Sequence, residues 1–163
     1  MEIVGFVVLP TFIAQIENMW AEVRHMLLQE LARHCQTYIS MWGQYDFDRI
    51  CYTIDWFNGG APIGHWMMMP NTGLVIASMI HRPVVFISER GWNTCFPIFS
   101  GPNLSQGIDP LVIARVGERA CAHYILPTLD LNFPLPRNHP QWSFFRELVA
   151  AEWITLYQHR LME

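Results

Sequence analysis

The sequence predicts a mixed α/β (α+β) chain folded as a single domain over residues 1–163, and three patterns carry that expectation. Trp20, Val23, Leu27, Leu31, Cys35 and Tyr38 recur every three or four residues, the spacing of an amphipathic helix. Val84 to Ile87 form an unbroken apolar run just after Pro83, the mark of a strand buried on both faces, and a short apolar helix precedes them. Leu111 to Val116 and Ala120 to Leu126 read as two strands joined through Gly117-Glu118-Arg119, a hairpin by length and turn residue. A chain of 163 residues suits one core, burying roughly 70% of the surface its unfolded form exposes.

Taken in order, Met1 to Gln15 is apolar, and its pattern fits either a buried strand or a buried helix. Asn18 is a suitable N-cap for the helix carrying the Trp20–Tyr38 stripe, with Glu22, Arg24, Gln29 and Arg33 expected on its solvated side and Gly43 closing it. Phe47, Ile50, Ile54 and Phe57 predict a second amphipathic helix, and Asn58 to Pro62 a loop. Asn71 and Thr72 follow Pro70, where a side-chain oxygen can accept a hydrogen bond from a free amide of the helix lined by Leu74, Ile76, Ala77 and Ile80. After the central strand, Ser88 to Asn93 reads as a turn. Thr94 to Phe99 reads as a strand in which Pro97 argues for an edge or a bulge. Ser100 to Pro110 has the composition of a surface loop. Four prolines make residues 127–140 extended, and Trp142, Phe145, Val149, Trp153, Leu156 and Arg160 predict one final helix.

Composition narrows the function. The net charge is −4 and no basic run exists, so the electrostatic footprint of a nucleic-acid binder is missing. Met1 to Pro10 carries Glu2 where a secretory signal has a basic region, and no stretch offers the roughly 20 apolar residues of a membrane span. Cys35, Cys51, Cys95 and Cys121 lack CxxC spacing, which predicts reduced thiols in an intracellular setting, cytoplasm or nucleus. Seven Trp and ten Phe in a chain that is 52% hydrophobic predict an exposed apolar patch, hence a protein partner or a homo-oligomer. All ten basic residues other than His are Arg, and Lys is absent.

Trp66-Met67-Met68-Met69-Pro70, Gly73, Ile76-Ala77-Ser78 and Thr94-Cys95-Phe96-Pro97-Ile98 together resemble the OTU-like cysteine protease domains of plant proteins related to Mutator-type transposases. The resemblance implies a papain-like architecture, a central and mainly antiparallel sheet flanked by helices, with a helical arm that in active members helps to hold ubiquitin. Members carry their nucleophile in an Asp-Gly-Asn-Cys-Gly-Phe block. Here Gly5-Phe6 is similar to the end of that block, and Trp20, Val23, Arg24 and Leu27 fall where the family has a Trp followed by a Val-Arg helix. Val4 then stands in the nucleophile position, and Met1, Glu2 and Ile3 replace the residues that shape the oxyanion loop. Valine has no lone pair with which to attack a carbonyl.

His123-Tyr124 resembles the family's His-aromatic pair, which makes His123 a relic general base, while Ile125 occupies the position where active members often hold Asn or Asp. The resemblance therefore implies a catalytically inactive pseudoenzyme that acts through contact with ubiquitin, a ubiquitin-like protein or an unrelated protein. One alternative is an active deubiquitinase with a non-standard nucleophile, Cys121 being the nearest thiol to His123 in sequence. Another is a small lysine-free effector, of toxin or antidote type, from a transposon-derived locus. No cofactor is expected. His34-Cys35 and Cys121-Ala122-His123 lack the spacing of a structural zinc site, so no metal is expected either. Met67 to Met69 read as packing, and Asp46 and Asp48 as a solvated face.

Overall fold

A computed structural model describes residues 20–58, 61–89, 91–105, 107–117, 123–130 and 132–162. Its helices are α1 (Trp20–Arg33), α2 (Cys35–Trp42), α3 (Gln44–Ile54), α4 (Asn71–Ile80), α5 (Trp142–Phe145) and α6 (Glu152–Tyr157), with 3-10 turns at Ile63–His65 and Leu148–Ala151. The strands are β1 (Val84–Ser88), β2 (Gly91–Cys95), β3 (Leu111–Val116) and β4 (His123–Ile125). They form one mixed sheet in the order β2-β1-β3-β4. The β1/β2 and β3/β4 pairs are antiparallel, and the central β1/β3 pair is parallel. The fold is α+β, a four-stranded sheet flanked by helices. No helix among the described residues is long and apolar enough to cross a membrane.

The α1 stripe does what its spacing predicts: Leu27 and Leu31 are fully buried, and Tyr38 continues the face into α2. One helix is not what forms, however. The chain breaks at His34, whose backbone leaves helical geometry at φ −117° and ψ 27° while its ring stacks on Phe99 with centroids 3.6 Å apart. Gly43 closes α2 as expected, in the left-handed region at φ 79°, and so lets α3 begin on the next residue.

Arg24 is the main correction to the helical reading. It is buried at 7% exposure, not solvated. Its guanidinium Nη1 donates to the Thr53 and Ile54 carbonyls, each at 2.9 Å, and Nη2 donates to the His65 carbonyl at 3.1 Å. The first two acceptors belong to the last turn of α3, whose carbonyls lack intrahelical donors and carry the negative end of the helix dipole. One planar cation thus fastens α1 to the end of α3 and to the turn before α4, and its burial lowers its pKa from the usual arginine value.

The caps and the last helix also differ from expectation. No side chain caps α4: the Thr72 hydroxyl donates back to the Met68 carbonyl at 3.1 Å, and Asn71 turns its side-chain oxygen toward His139. The helix ends at Ile80, and the Arg82 amide returns to the Ala77 carbonyl over His81, which is left-handed at φ 53°. The strand expected over Thr94–Phe99 lies earlier, at Gly91–Cys95, and stops before Pro97 at the sheet edge, as the missing proline N–H requires. In place of one final helix there are α5, a 3-10 turn and α6. Arg146 and Glu147 are extended because the Glu147 amide donates to the Ile98 carbonyl at 2.9 Å, a long-range bond that replaces helical ones. Gly101 fits beneath this break: a Cβ there would lie 2.7 Å from the Val149 carbonyl oxygen.

The C-terminal segment builds the second half of the core. Phe96 packs between Trp142, Trp153 and Tyr157 at ring-centroid distances of 5.5, 6.2 and 5.7 Å. Each polar tip finds a carbonyl: Trp142 Nε1 on Pro97, Trp153 Nε1 on Ser100, and the Tyr157 hydroxyl on Ile108. The expected extended run over residues 127–140 is interrupted: the Phe133 amide donates back to the Asp130 carbonyl at 3.0 Å in a turn, and extended pairing appears only as isolated bridges at Leu135 and Asn138.

Arg24→Met removes three hydrogen bonds to buried carbonyls, of which that of Ile54 still accepts from the Trp56 amide at 2.8 Å, and should cost roughly 2–3 kcal/mol, about one per lost bond. Urea unfolding would measure this, and Arg24→Lys should recover only part of it, because an ammonium cannot span carbonyls on two elements as a planar fork does.

Candidate functional site

Sequence reasoning places the site at Val4 and His123, with Cys121 as the alternative nucleophile. Val4, the Gly5-Phe6 match and Cys121 lie outside the described residues. His123 begins β4, and the register sets its backbone opposite Val116 of β3. Tyr124 and Ile125 follow, each 42% exposed, on the strand that ends the sheet order.

Register builds a surface next to that strand. Trp92 pairs with Ile87, Ile87 with Ala114, and Ala114 with Ile125, so one row of side chains runs across all four strands on a single face. Every member is apolar. Its ends, Trp92 at 51% and Ile125 at 42%, stand exposed, Ile87 is half-buried, and the small Ala114 leaves a low point between two isoleucines. Val116, 39% exposed, extends the row along β3 on the same face. A hydrophobic strip of this kind on a sheet is suited to contact with another apolar surface and supplies no acid, base or nucleophile.

The fold also brings together a Cys, a His and an Asn that sequence reasoning did not combine. Cys95, at the end of β2, points its sulfur at the Pro70 carbonyl, 3.7 Å away at the start of α4. Gly73 makes this approach possible: a Cβ there would meet the Cys95 sulfur at 3.0 Å and the Met69 methyl carbon at 3.3 Å. Asn71 on the same first turn places Oδ1 3.3 Å from His139 Nε2. The Gln141 amide donates to His139 Nδ1 at 3.4 Å, so the imidazole is held neutral with its proton on Nε2. His139 is anchored by its own amide, which donates to the Thr94 carbonyl at 2.8 Å.

These are the residue types of a cysteine protease, but their environment does not serve that chemistry. Cys95 is fully buried, and desolvation pushes its thiol far above the usual cysteine range. His139 is 3% exposed, and burial pulls its pKa down to about 4, away from the protonated form that would stabilise a thiolate. The cluster ties α4, β2 and the 136–139 segment together. No sequence signal joins the three, because Asn71, Cys95 and His139 lie far apart in the chain.

The other described cysteines are Cys35 and Cys51, both half-buried. Burial first, then the Asp48 carboxylate, raises the pKa of Cys51. Near Cys35, the Glu30 carboxylate lies 3.8 Å from His34 Nε2 and is itself buried. Burial raises the pKa of Tyr38 on the same side of the core, and the Glu30 charge adds to it. Among the described residues no group of three His, Cys, Asp or Glu side chains could hold a metal ion.

Compared with protein-family models, with curated proteins and with solved structures, the chain matches none.

Two outcomes follow from the buried pair. Since His139 titrates near 4 when folded and near 6.5 when unfolded, the unfolded chain takes up the proton first as the pH falls. Stability from this group is intact above about pH 6.5, declines between there and about pH 4 by on the order of 3 kcal/mol, and is level below. His139→Gln should flatten that part of a melting-temperature profile against pH. Cys95 should resist a thiol-alkylating reagent in the native protein and become labelled only in denaturant, read by peptide mass spectrometry.

Proposed function

We propose that this chain is an OTU-like domain that has lost its nucleophile and works by protein contact inside the cell, in cytoplasm or nucleus, with ubiquitin or another protein as partner. The observation that carries the reading is the apolar row Trp92–Ile87–Ala114–Ile125, which ends on the strand that holds the His-aromatic pair. In an enzyme this strand would present a base to a nucleophile. Here Val4 stands in the nucleophile position, and the strand's neighbourhood is a strip of exposed hydrocarbon. The buried, protonated state of Cys95 supports the same reading, because that thiol is no replacement for the missing one.

The net charge of −4 favours a protein surface over a nucleic-acid backbone as the partner. A second copy of the chain can use the same strip, so light scattering belongs beside any binding measurement.

The test is reaction of the purified chain with ubiquitin bearing a thiol-reactive C-terminus, together with a titration of unmodified ubiquitin. Saturable binding with no covalent adduct is expected, and Trp92→Glu or Ile125→Glu, which puts a charge on an exposed apolar anchor, should weaken it by roughly tenfold or more. An adduct lost in Cys121→Ala would make the chain a working deubiquitinase and end the pseudoenzyme reading.

A further inference from the structure

Ten arginines and no lysine raise a question that the side-chain contacts answer in part. At three positions the structure requires the guanidinium. Arg24 spans the carbonyls of Thr53, Ile54 and His65. Arg82 closes on the Asp109 carbonyl with Nε at 2.9 Å and Nη2 at 2.5 Å. Arg160 reaches the Phe133 carbonyl with Nε and Nη2, at 3.3 and 3.1 Å, and the Asp130 carbonyl with Nη2 at 3.2 Å. At Arg24 and Arg160 the fork reaches carbonyls of different residues, and at Arg82 two of its nitrogens converge on one carbonyl, geometries that the planar guanidinium holds and a compact ammonium does not reproduce.

The same argument fails elsewhere. Arg33 is exposed in the last turn of α1, where any cation favours the helix dipole equally. Arg49 makes a 3.5 Å contact to Asp46 between side chains that are 51% and 45% exposed and lies 5.6 Å from the Tyr45 ring centroid, surface contacts that an ammonium can also make. Folding therefore explains some of the arginines and leaves the exclusion of lysine unexplained. What separates the two cations at an exposed position is nucleophilicity. A lysine amine can lose its proton and attack the carbonyl of a ubiquitin thioester, forming the C–N bond of an isopeptide as the C–S bond breaks and the thiol leaves with the proton. A guanidinium stays protonated above pH 12, its lone pairs delocalised, and cannot take that step.

We infer that the chain is kept free of lysine so that its side chains cannot accept ubiquitin, which lets it persist among ubiquitin-transferring enzymes without being marked for destruction. This inference rests on composition, on the exposure of Arg33 and the surface contacts of Arg49, and on the eukaryotic setting that the OTU-like reading implies.

Arg33→Lys, Arg49→Lys and the double variant, each in a full-length chain with a lysine-free tag, test it in eukaryotic cells after translation is blocked. The expected result is a half-life shortened by roughly twofold or more. Ubiquitin conjugates should be mapped to the new lysines, and an inhibitor of ubiquitin activation should restore the half-life. Arg33→Gln and Arg49→Gln remove the charge without adding an amine and should keep the parent half-life. Lysine variants that last as long as the parent and carry no conjugates would overturn the inference. Glutamine variants that decay as fast as the lysine ones would also overturn it, since the arginines would then be needed for folding.

Discussion

The Arg24 guanidinium, buried with no carboxylate partner among the described residues, is the constraint around which the helical half is assembled. A cation removed from water needs compensation, and here it comes from backbone dipoles: two carbonyls that α3 leaves open at its end and one from the turn at His65. The bond set also meets the needs of those carbonyls as α3 ends, together with the Trp56 amide, which donates to the Ile54 carbonyl at 2.8 Å. Because the fork is planar and its acceptors sit on separate elements, it fixes the position of α1 relative to α3 and, through the His65 turn, the path of the chain into α4.

From α4 the order passes to the sheet. Gly73 lets the first turn of α4 lie against the Cys95 sulfur, and the Asn71–His139 contact closes the same junction from the far side of β2. The 136–139 segment then runs along β2: the Thr94 amide donates to the Arg137 carbonyl, and the Thr94 carbonyl accepts from the His139 amide. An edge strand that would otherwise present open hydrogen-bonding groups is in this way partly covered by the chain itself. Cys95 and His139 are thereby committed to structure. Burial sets both pKa values against ionisation, which keeps the junction uncharged near neutrality.

The other end of the sheet has a different character. Toward the end of β1 the row from Trp92 to Ile125 is apolar on every strand, yet its two outer members keep about half of their surface in contact with water. Further large apolar side chains are exposed around the broken C-terminal helix, Phe144 at 83% and Leu148 at 88%. Retaining so much hydrocarbon at the surface is unfavourable for an isolated chain, which is the physical ground of the proposed association.

Periodicity alone determined a good deal. The stripe from Trp20 to Tyr38, the Pro83 boundary, the buried run Val84–Ile87 and the Gly43 corner were all legible, because each depends on local geometry or on which side of an element must avoid water. The break at His34 was not legible, since it accompanies a ring stacked on Phe99, far along the chain. Nor was the division of the last helix, which follows from an amide reaching the Ile98 carbonyl. Arg24 looked solvated because it is charged and stands off the apolar stripe of its helix. Only the tertiary structure could bring three carbonyls to it, and likewise set Cys95, Asn71 and His139 at one junction, because hydrogen-bond partners distant in sequence leave no periodic trace. The absence of lysine is the reverse case, determined by sequence alone, while the fold decided which arginines a lysine could have replaced.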